Sequence, residues 1–531
     1  MSPSMSPEFA VEWEDPADRA LFWVRDDSHH PAPVTTLTHE FLSLVYGEGL
    51  NVAAAHYGLP FRVRRRCLHT YCYSAVVPAA GDDDGAALRR AATATAQEWA
   101  GNWLPEVQGR IAWWCGRDLV GAPLSELRQL LAAAVTFARR MGEIHFLATG
   151  PGLLVLSEFE ERWGELCGSG AAACGLLTMP DSKNAQLRRA LEDLADLARS
   201  EPQVARVVAA GPADRVCAEL EAFPAGRVFR AGLECFLARW GRRGDQNWSL
   251  DRPSWQEDPT FVLESLHRLL EAPQGREATL PEAERLLEGL GTNRREELAG
   301  LLRAARVAQQ VKEDHAFWID FAAGHEVRCL LRELGARLRQ AGALPTADDV
   351  FRLTLAELDE TVGTLQDRRE LVAARRLEEE AFREVVPPKF LGTPSASAGL
   401  PHPILRVMSK VFGARPQPPT AAVLSGTAAA PGKARGAARV LRSTAQVERL
   451  RPGEVLVAPT TTPSWIPLFA TAAAVVTDVG GVLSHTAVVA RELGIPAVVG
   501  TGCATQMLAD GQRVEVDGDA GEVRLLPDGA P

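Results

Sequence analysis

The stretch from Ala473 to Gly500 limits what this chain can become more than any other. Ala473 to Thr477 is a run of small and β-branched residues that fits a buried strand, and it stops at Gly480-Gly481. Ser484 stands where a helix N-cap belongs, because its hydroxyl can take up one of the free N–H groups of the first turn. Thr486, Val489 and Leu493 recur at i, i+3 and i+7, so the spacing predicts a short amphipathic helix. Gly494 ends it and Pro496 keeps it from restarting. The order is strand, Gly-Gly turn, helix, strand, with His485 in the first helical turn.

That position has chemical meaning. Free amide N–H groups and the helix dipole attract anions to a helix N-terminus. Two glycines let a charged group approach the backbone closely. The positive partial charge there disfavours imidazolium, and a neutral imidazole is a nucleophile. On these residues alone, His485 is either a side chain that helps cap the helix or a phosphoryl carrier.

The whole string resembles the phosphohistidine swivelling domain of phosphoenolpyruvate synthase, pyruvate phosphate dikinase and rifampin phosphotransferase. In that family a Gly-Gly turn, a short polar residue, the phosphorylated histidine and an Ala-Arg-Glu-x-Gly-Ile-Pro-Ala-Val run follow in this order. Here they are Gly480-Gly481, Ser484, His485 and Ala490 to Val498, with Ser484 where relatives often carry Thr or Cys. The resemblance implies that His485 carries the phosphoryl group, with Gly480, Gly481, Ser484 and Thr486 supporting it. Pro459 to Trp465 resembles the family's Thr-x-Pro-x-Trp loop facing the histidine, which adds the hydroxyls of Thr460 and Thr462. Turn-making alone also explains that loop.

The remaining chain is that of an ordinary soluble protein. Its 531 residues suggest two to four domains, and 46% hydrophobic with 24% charged residues is a usual globular balance. A net charge of -11 argues against a general nucleic-acid binder. The basic run Arg62 to Arg66 reads as a solvated face. Nine dispersed cysteines without a CxxC pair indicate neither a zinc site nor a disulfide framework. The acidic N-terminus has no signal-peptide core, and the uncharged run Pro459–Thr477 holds three prolines, so no membrane partner and a cytoplasmic location are expected. His29-His30 beside Asp26-Asp27 invites a metal reading. No third histidine at helical spacing supports it, so no metal site is expected.

The expected architecture is multidomain, a mainly α-helical N-terminal module followed by a C-terminal α/β swivelling domain. The module spans 1–392, with breaks near 81–85 and 168–185; a Pro-, Ser- and Gly-rich hinge spans 393–421; the swivelling domain spans 422–528. Leu127, Leu130, Leu131, Ala134, Ala138, Met141 and His145 share one face of a long helix, which makes His145 a core histidine. Strands are expected at 438–441, 455–458, 474–477, 497–499, 514–516 and 522–525.

Phe229 to Pro259 resembles the substrate-binding portion of rifampin phosphotransferase, with Arg242 in place of a histidine. Arg242 and Arg243 hold an anionic substrate group, or they answer a helix C-terminus. The segment 300–392 resembles the next part of the same enzymes, including an Asp-Val-Phe-x-Leu-Thr strand-to-helix turn. His315 and Arg328 are its substrate-binding candidates, with ion pairing on a solvated face as the plainer reading.

In these relatives an ATP-grasp domain phosphorylates the histidine, and no glycine-rich loop followed by lysine suggests one here. The expectation is a phosphotransferase component charged by a separate ATP-grasp protein using ATP and Mg²⁺, which delivers the phosphoryl group to a small-molecule acceptor. Two alternatives stand beside it: a non-catalytic scaffold, and an enzyme that phosphorylates a hydroxyl to drive its elimination.

Overall fold

The computed structural model describes residues 9–13, 15–27, 29–81, 86–167, 176–177, 181–210, 213–271, 285, 287–383, 385, 387–393, 407, 410 and 423–527. The chain divides into two compact units, each built from separated stretches. Met1–Pro151, Gln246–Arg252 and His315–Pro403 form the first; Gly152–Asp245, Pro253–Asp314 and Ile404–Pro531 form the second. This division differs from a helical module over 1–392 followed by one hinge. Part of the helical sequence belongs with the C-terminal sheet, and two helices, Leu124–Cys167 and Thr292–His315, run from one unit into the other. Of the expected hinge, only Thr393, Val407 and Lys410 lie among the described residues, and residues 82–85 and 168–175 also lie outside them.

The first unit is not helical throughout. Strands β1 (Trp23–Arg25), β2 (Phe61–Leu68), β3 (Tyr71–Pro78) and β4 (Phe390–Leu391) form an antiparallel sheet in the order β2-β3-β1-β4. The basic run predicted to be a solvated face is strand β2. Arg65 is turned inward onto Asp26 at 2.9 Å, and Arg66 reaches Asp18 at 2.7 Å, a carboxylate only 1% exposed. Alternation along a strand sends neighbouring side chains to opposite faces, and buried acids make an inward arginine tolerable.

Helices follow their sequence signals more closely. Leu127, Leu131, Ala134, Ala138 and Met141 are all buried on the 44-residue helix Leu124–Cys167. Val327, Leu330, Leu331, Leu334 and Leu338 line the core side of Gly324–Gln340. The expected strand-to-helix turn after it is instead a 3-10 turn, Ala347–Arg352, and then a helix, Leu355–Thr364. Thr346 with Asp349 and Thr354 with Glu357 form capping boxes, which satisfy the first N–H groups of both. Among the described residues no helix is long and apolar enough to cross a membrane.

In the second unit the strands are β5 (Val423–Ser425), β6 (Thr427–Ala430), β7 (Lys433–Val440), β8 (Val455–Ala458), β9 (Ala474–Thr477), β10 (Ala497–Val499), β11 (Arg513–Asp517) and β12 (Glu522–Leu525). They form one sheet ordered β5-β12-β11-β7-β8-β9-β10-β6, with β7 to β10 parallel and the others antiparallel. All six expected strands are present. β5 and β6 were not foreseen, and they close the design: they lie at opposite ends of the strand order yet only Gly426 separates them, so the two sheet edges must meet. Val455, Val457, Val476, Val498, Val514 and Val516 fill the interior.

Helices Lys183–Ser200, Pro224–Trp240 and Thr260–Glu271 complete the second unit. The sheet part is tied to them by polar contacts from loops. Arg268 donates to the carbonyl of Leu450, and Thr444 donates to Asp245 at 2.7 Å.

Candidate active site

Strand β9 ends at Thr477 and the chain turns through Gly480, whose φ of +133° is costly for any residue with a Cβ. Gly481 meets a different constraint: a Cβ there would lie 2.1 Å from the backbone oxygen of Lys410. We expect Gly481→Ala to destabilise the chain by about 1–3 kcal/mol, because backbone rather than a flexible side chain must move. A thermal melt within a degree of wild type would show that the turn has slack. Ser484 caps the helix His485–Glu492 as its sequence position requires, accepting from the N–H of Ala487 at 3.3 Å. Arg491 reaches back from the helix to the carbonyls of Val482 at 2.9 Å and Ala429 at 2.6 Å, clamping the turn to strand β6.

His485 is therefore the first residue of the helix. Its ring is half-buried, but Nε2 is shut off from solvent and has no hydrogen-bond partner among the described residues. Burial, then the charges of Lys312 and Arg243, push its pKa down to about 3. At neutral pH it is an uncharged imidazole with a free lone pair on Nε2 or Nδ1. Thr486 Oγ1 lies 2.8 Å from Thr461 Oγ1 in the 459–465 loop.

Both cations come from the helical part of the same unit. Lys312 donates to the carbonyl of Leu483 at 2.7 Å, just ahead of the histidine. Arg243 is 1% exposed and lies over the Trp240 ring at 5.5 Å. Burial pulls its pKa down to about 9, opposed by Glu313. The loop that carries it is pinned to the sheet part: Thr462 donates to the Asp245 carbonyl at 3.0 Å and Ser464 to that of Gly244.

Two carboxylates complete the group. Glu313 is 3% exposed and accepts from Asn184 and, at 3.0 Å, from Gln309. Burial raises its pKa to about 7 despite Lys312 and Arg243. Glu492, seven residues after His485 and so on the same helix face, is raised to about 8 by burial and by repulsion from Glu313. Its Oε1 has no partner among the described residues. A nucleophile, two cations and two carboxyls that ionise near neutrality thus belong to one compact unit, a combination suited to moving an anionic group and a proton.

The sequence candidates separate on this map. Gly480, Gly481, Ser484, Thr486, Arg243 and His485 come together. Thr461, which sequence reading passed over, meets Thr486, whereas Thr460 is only half-buried and Thr462 is spent on Asp245. Arg242 is half-buried and is not among the charges acting on His485. His315 and Arg328 belong to the first unit. There Arg328 donates to the Leu250 carbonyl and lies over the Phe351 ring at 5.4 Å. His315 joins His145, Tyr46 and Asn247 around the buried carboxylate of Asp320. Lys312, Glu313 and Asn184 were missed: a Lys-Glu-Asp run on a helix reads as a solvated face, and only its fold partner makes it a site.

Comparison with known proteins bears on both parts of the second unit. Residues 450–521 match the family described as the PEP-utilising enzyme mobile domain, and residues 150–313 match the rifampicin phosphotransferase fourth domain. The chain is 36% identical to chondramide synthase cmdD of Chondromyces crocatus over 98% of its own length and 14% of that protein's. It is 30% identical to a rifampicin phosphotransferase of Streptomyces sviceus over 77% of this chain and 48% of the relative. A rifampicin phosphotransferase of Bacillus subtilis is 26% identical over 80% of this chain and 48% of its own length. The chain thus spans about half the length, or less, of these relatives. The mobile-domain match covers most of the sheet part, including His485, and the fourth-domain match covers much of the helical part. The chain belongs to the PEP-utilising phosphohistidine-domain family.

Proposed function

We propose that this chain is the histidine-carrying part of a phosphotransferase, which accepts a phosphoryl group on His485 and passes it to a hydroxyl of a small molecule. The observation that carries the reading is the unpartnered Nε2 of His485, held neutral at a helix N-terminus with Arg243 and Lys312 beside it. The donor is formed on a separate ATP-grasp protein, which binds ATP and Mg²⁺. Nε2 attacks phosphorus, the P–N bond forms and the P–O bond to the donor breaks. In the second step the acceptor oxygen attacks phosphorus, the P–N bond breaks and the hydroxyl proton passes to the Glu313 carboxylate. Arg243 and Lys312 neutralise the phosphoryl oxygens throughout, as in-line transfer requires.

Labelled ATP, with the ATP-grasp protein as donor, tests the carrier role. The label should be acid-labile, base-stable and confined to the peptide holding His485. Label that maps to another residue sinks the assignment. Arg243→Met tests the neutralising role separately. Loss of a charge aimed at the phosphoryl group should slow transfer by about 10²–10³-fold. Burial disfavours the charged guanidinium, which offsets part of the cost of losing its attraction to Glu313, so the variant should remain folded. A melting point lowered by many degrees would make Arg243 a structural residue instead.

A further inference from the structure

We propose that the first unit binds one divalent transition-metal ion of the zinc class through His145, His315 and Asp320. The inference does not depend on the phosphotransfer reading. His145 Nδ1 lies 3.1 Å from Asp320 Oδ1, and His315 Nε2 lies 3.6 Å from Asp320 Oδ2. The three ligand atoms are all within 4.8 Å of one another, and the two imidazoles meet edge to face with centroids 4.6 Å apart. Bonds of about 2.0–2.2 Å in tetrahedral geometry separate ligand atoms by about 3.3–3.5 Å, so a small ring rotation closes the set around an ion.

The surroundings are built as a metal's outer shell is built. Tyr46 donates to Asp320 Oδ1 at 3.0 Å and Asn247 to Oδ2 at 3.2 Å, which fixes the carboxylate's orientation. Asp320 is 3% and His315 6% exposed. Beyond Tyr46, His29 stacks on its ring at 5.9 Å, and the neighbouring His30, fully buried, has no hydrogen bond to either ring nitrogen among the described residues.

Backbone geometry brings the ligands together. His315 ends the helix Thr292–His315, and the π-helical turn Ala316–Ala323 carries Asp320; a second π-helical turn, Ser43–Glu48, carries Tyr46. Residues five apart on a regular α-helix point about 140° from each other. The wider π turn reduces that angle, and such turns recur at functional sites. Two imidazoles and one carboxylate favour zinc-like ions, whereas Mg²⁺ and Ca²⁺ prefer oxygen ligands throughout. Three protein ligands leave a coordination position for water or a ligand oxygen.

The test uses the full chain, stripped with chelator and titrated with Zn²⁺ by calorimetry and with Co²⁺ by absorption spectroscopy. One equivalent should bind, with cobalt ligand-field bands and no thiolate charge-transfer band, and excess Mg²⁺ should not displace it. Asp320→Asn and His145→Gln should weaken binding by more than about 100-fold, and Tyr46→Phe by about 10-fold. Absence of binding, displacement by Mg²⁺, or binding unchanged in both ligand variants overturns the proposal; the last would put the ion elsewhere, for instance on cysteines. Should the variants fail to fold, X-ray absorption on the zinc-loaded wild-type chain decides between nitrogen–oxygen and sulfur donors.

Discussion

His485→Ala is expected to abolish both labelling and transfer, a loss on the order of 10⁴-fold or more, as when a covalent nucleophile is removed. The Thr486 hydroxyl is taken by Thr461, and the Asp478 carboxylate accepts from the Thr505 hydroxyl and, at 3.0 Å, its N–H. The fold should survive, because Ser484 still caps the helix and Arg491 still clamps the turn. The same residue makes a pH prediction. With its pKa pushed down to about 3, His485 is neutral throughout the physiological range, so labelling should show no limb near 6.5. Stability carries the opposite sign: below 6.5 the unfolded chain binds a proton that the folded one refuses. The wild-type chain should therefore lose stability as pH falls from 6.5 toward 3, and His485→Ala should lose less. Label retained by the variant would remove the carrier role.

How much of this was readable in advance depends on the range of the interaction involved. The Gly480–Gly494 string specifies its own turn, cap, helix and stop, all within a few residues, and it folds as its sequence says. The same holds for parallel strands β8, β9 and β10, whose continuous apolar runs carry their own signal. The N-terminal sheet was hidden for two local reasons. Strand β2 carries three consecutive arginines paired to acids elsewhere in the chain, and its hairpin to β3 turns through His69-Thr70. Both turn residues have positive φ, a geometry normally announced by Asn-Gly or Asp-Gly. Nor could Glu313 or Asp320 be singled out. Asn184 beside Glu313, and Tyr46 and His145 beside Asp320, come from segments more than a hundred residues away, and a helical register that changes from α to π cannot be read from spacing.

Glu313→Gln is the sharpest probe of the second half-reaction. If Glu313 takes the acceptor's proton, the variant should still be labelled on His485 at the wild-type rate. Transfer to the acceptor should fall by about 10²–10⁴-fold, the usual contribution of a general base. Wild-type transfer should rise with pH through about 7, as the carboxyl loses its proton, and that limb should vanish in the variant. Stability again has the reverse sign. A carboxyl raised from 4.5 to about 7 holds its proton in the folded chain where the unfolded chain has released it, so wild-type stability declines as pH climbs between those values. Glu313→Gln removes this decline, leaving only the rearrangement of Asn184 and Gln309, which donate to the wild-type carboxylate and must now accommodate an amide. A variant equally slow in labelling and transfer would show that Glu313 organises the His485 pocket and moves no proton. A variant with undiminished transfer would pass the role to Glu492, which travels on the same helix as the histidine.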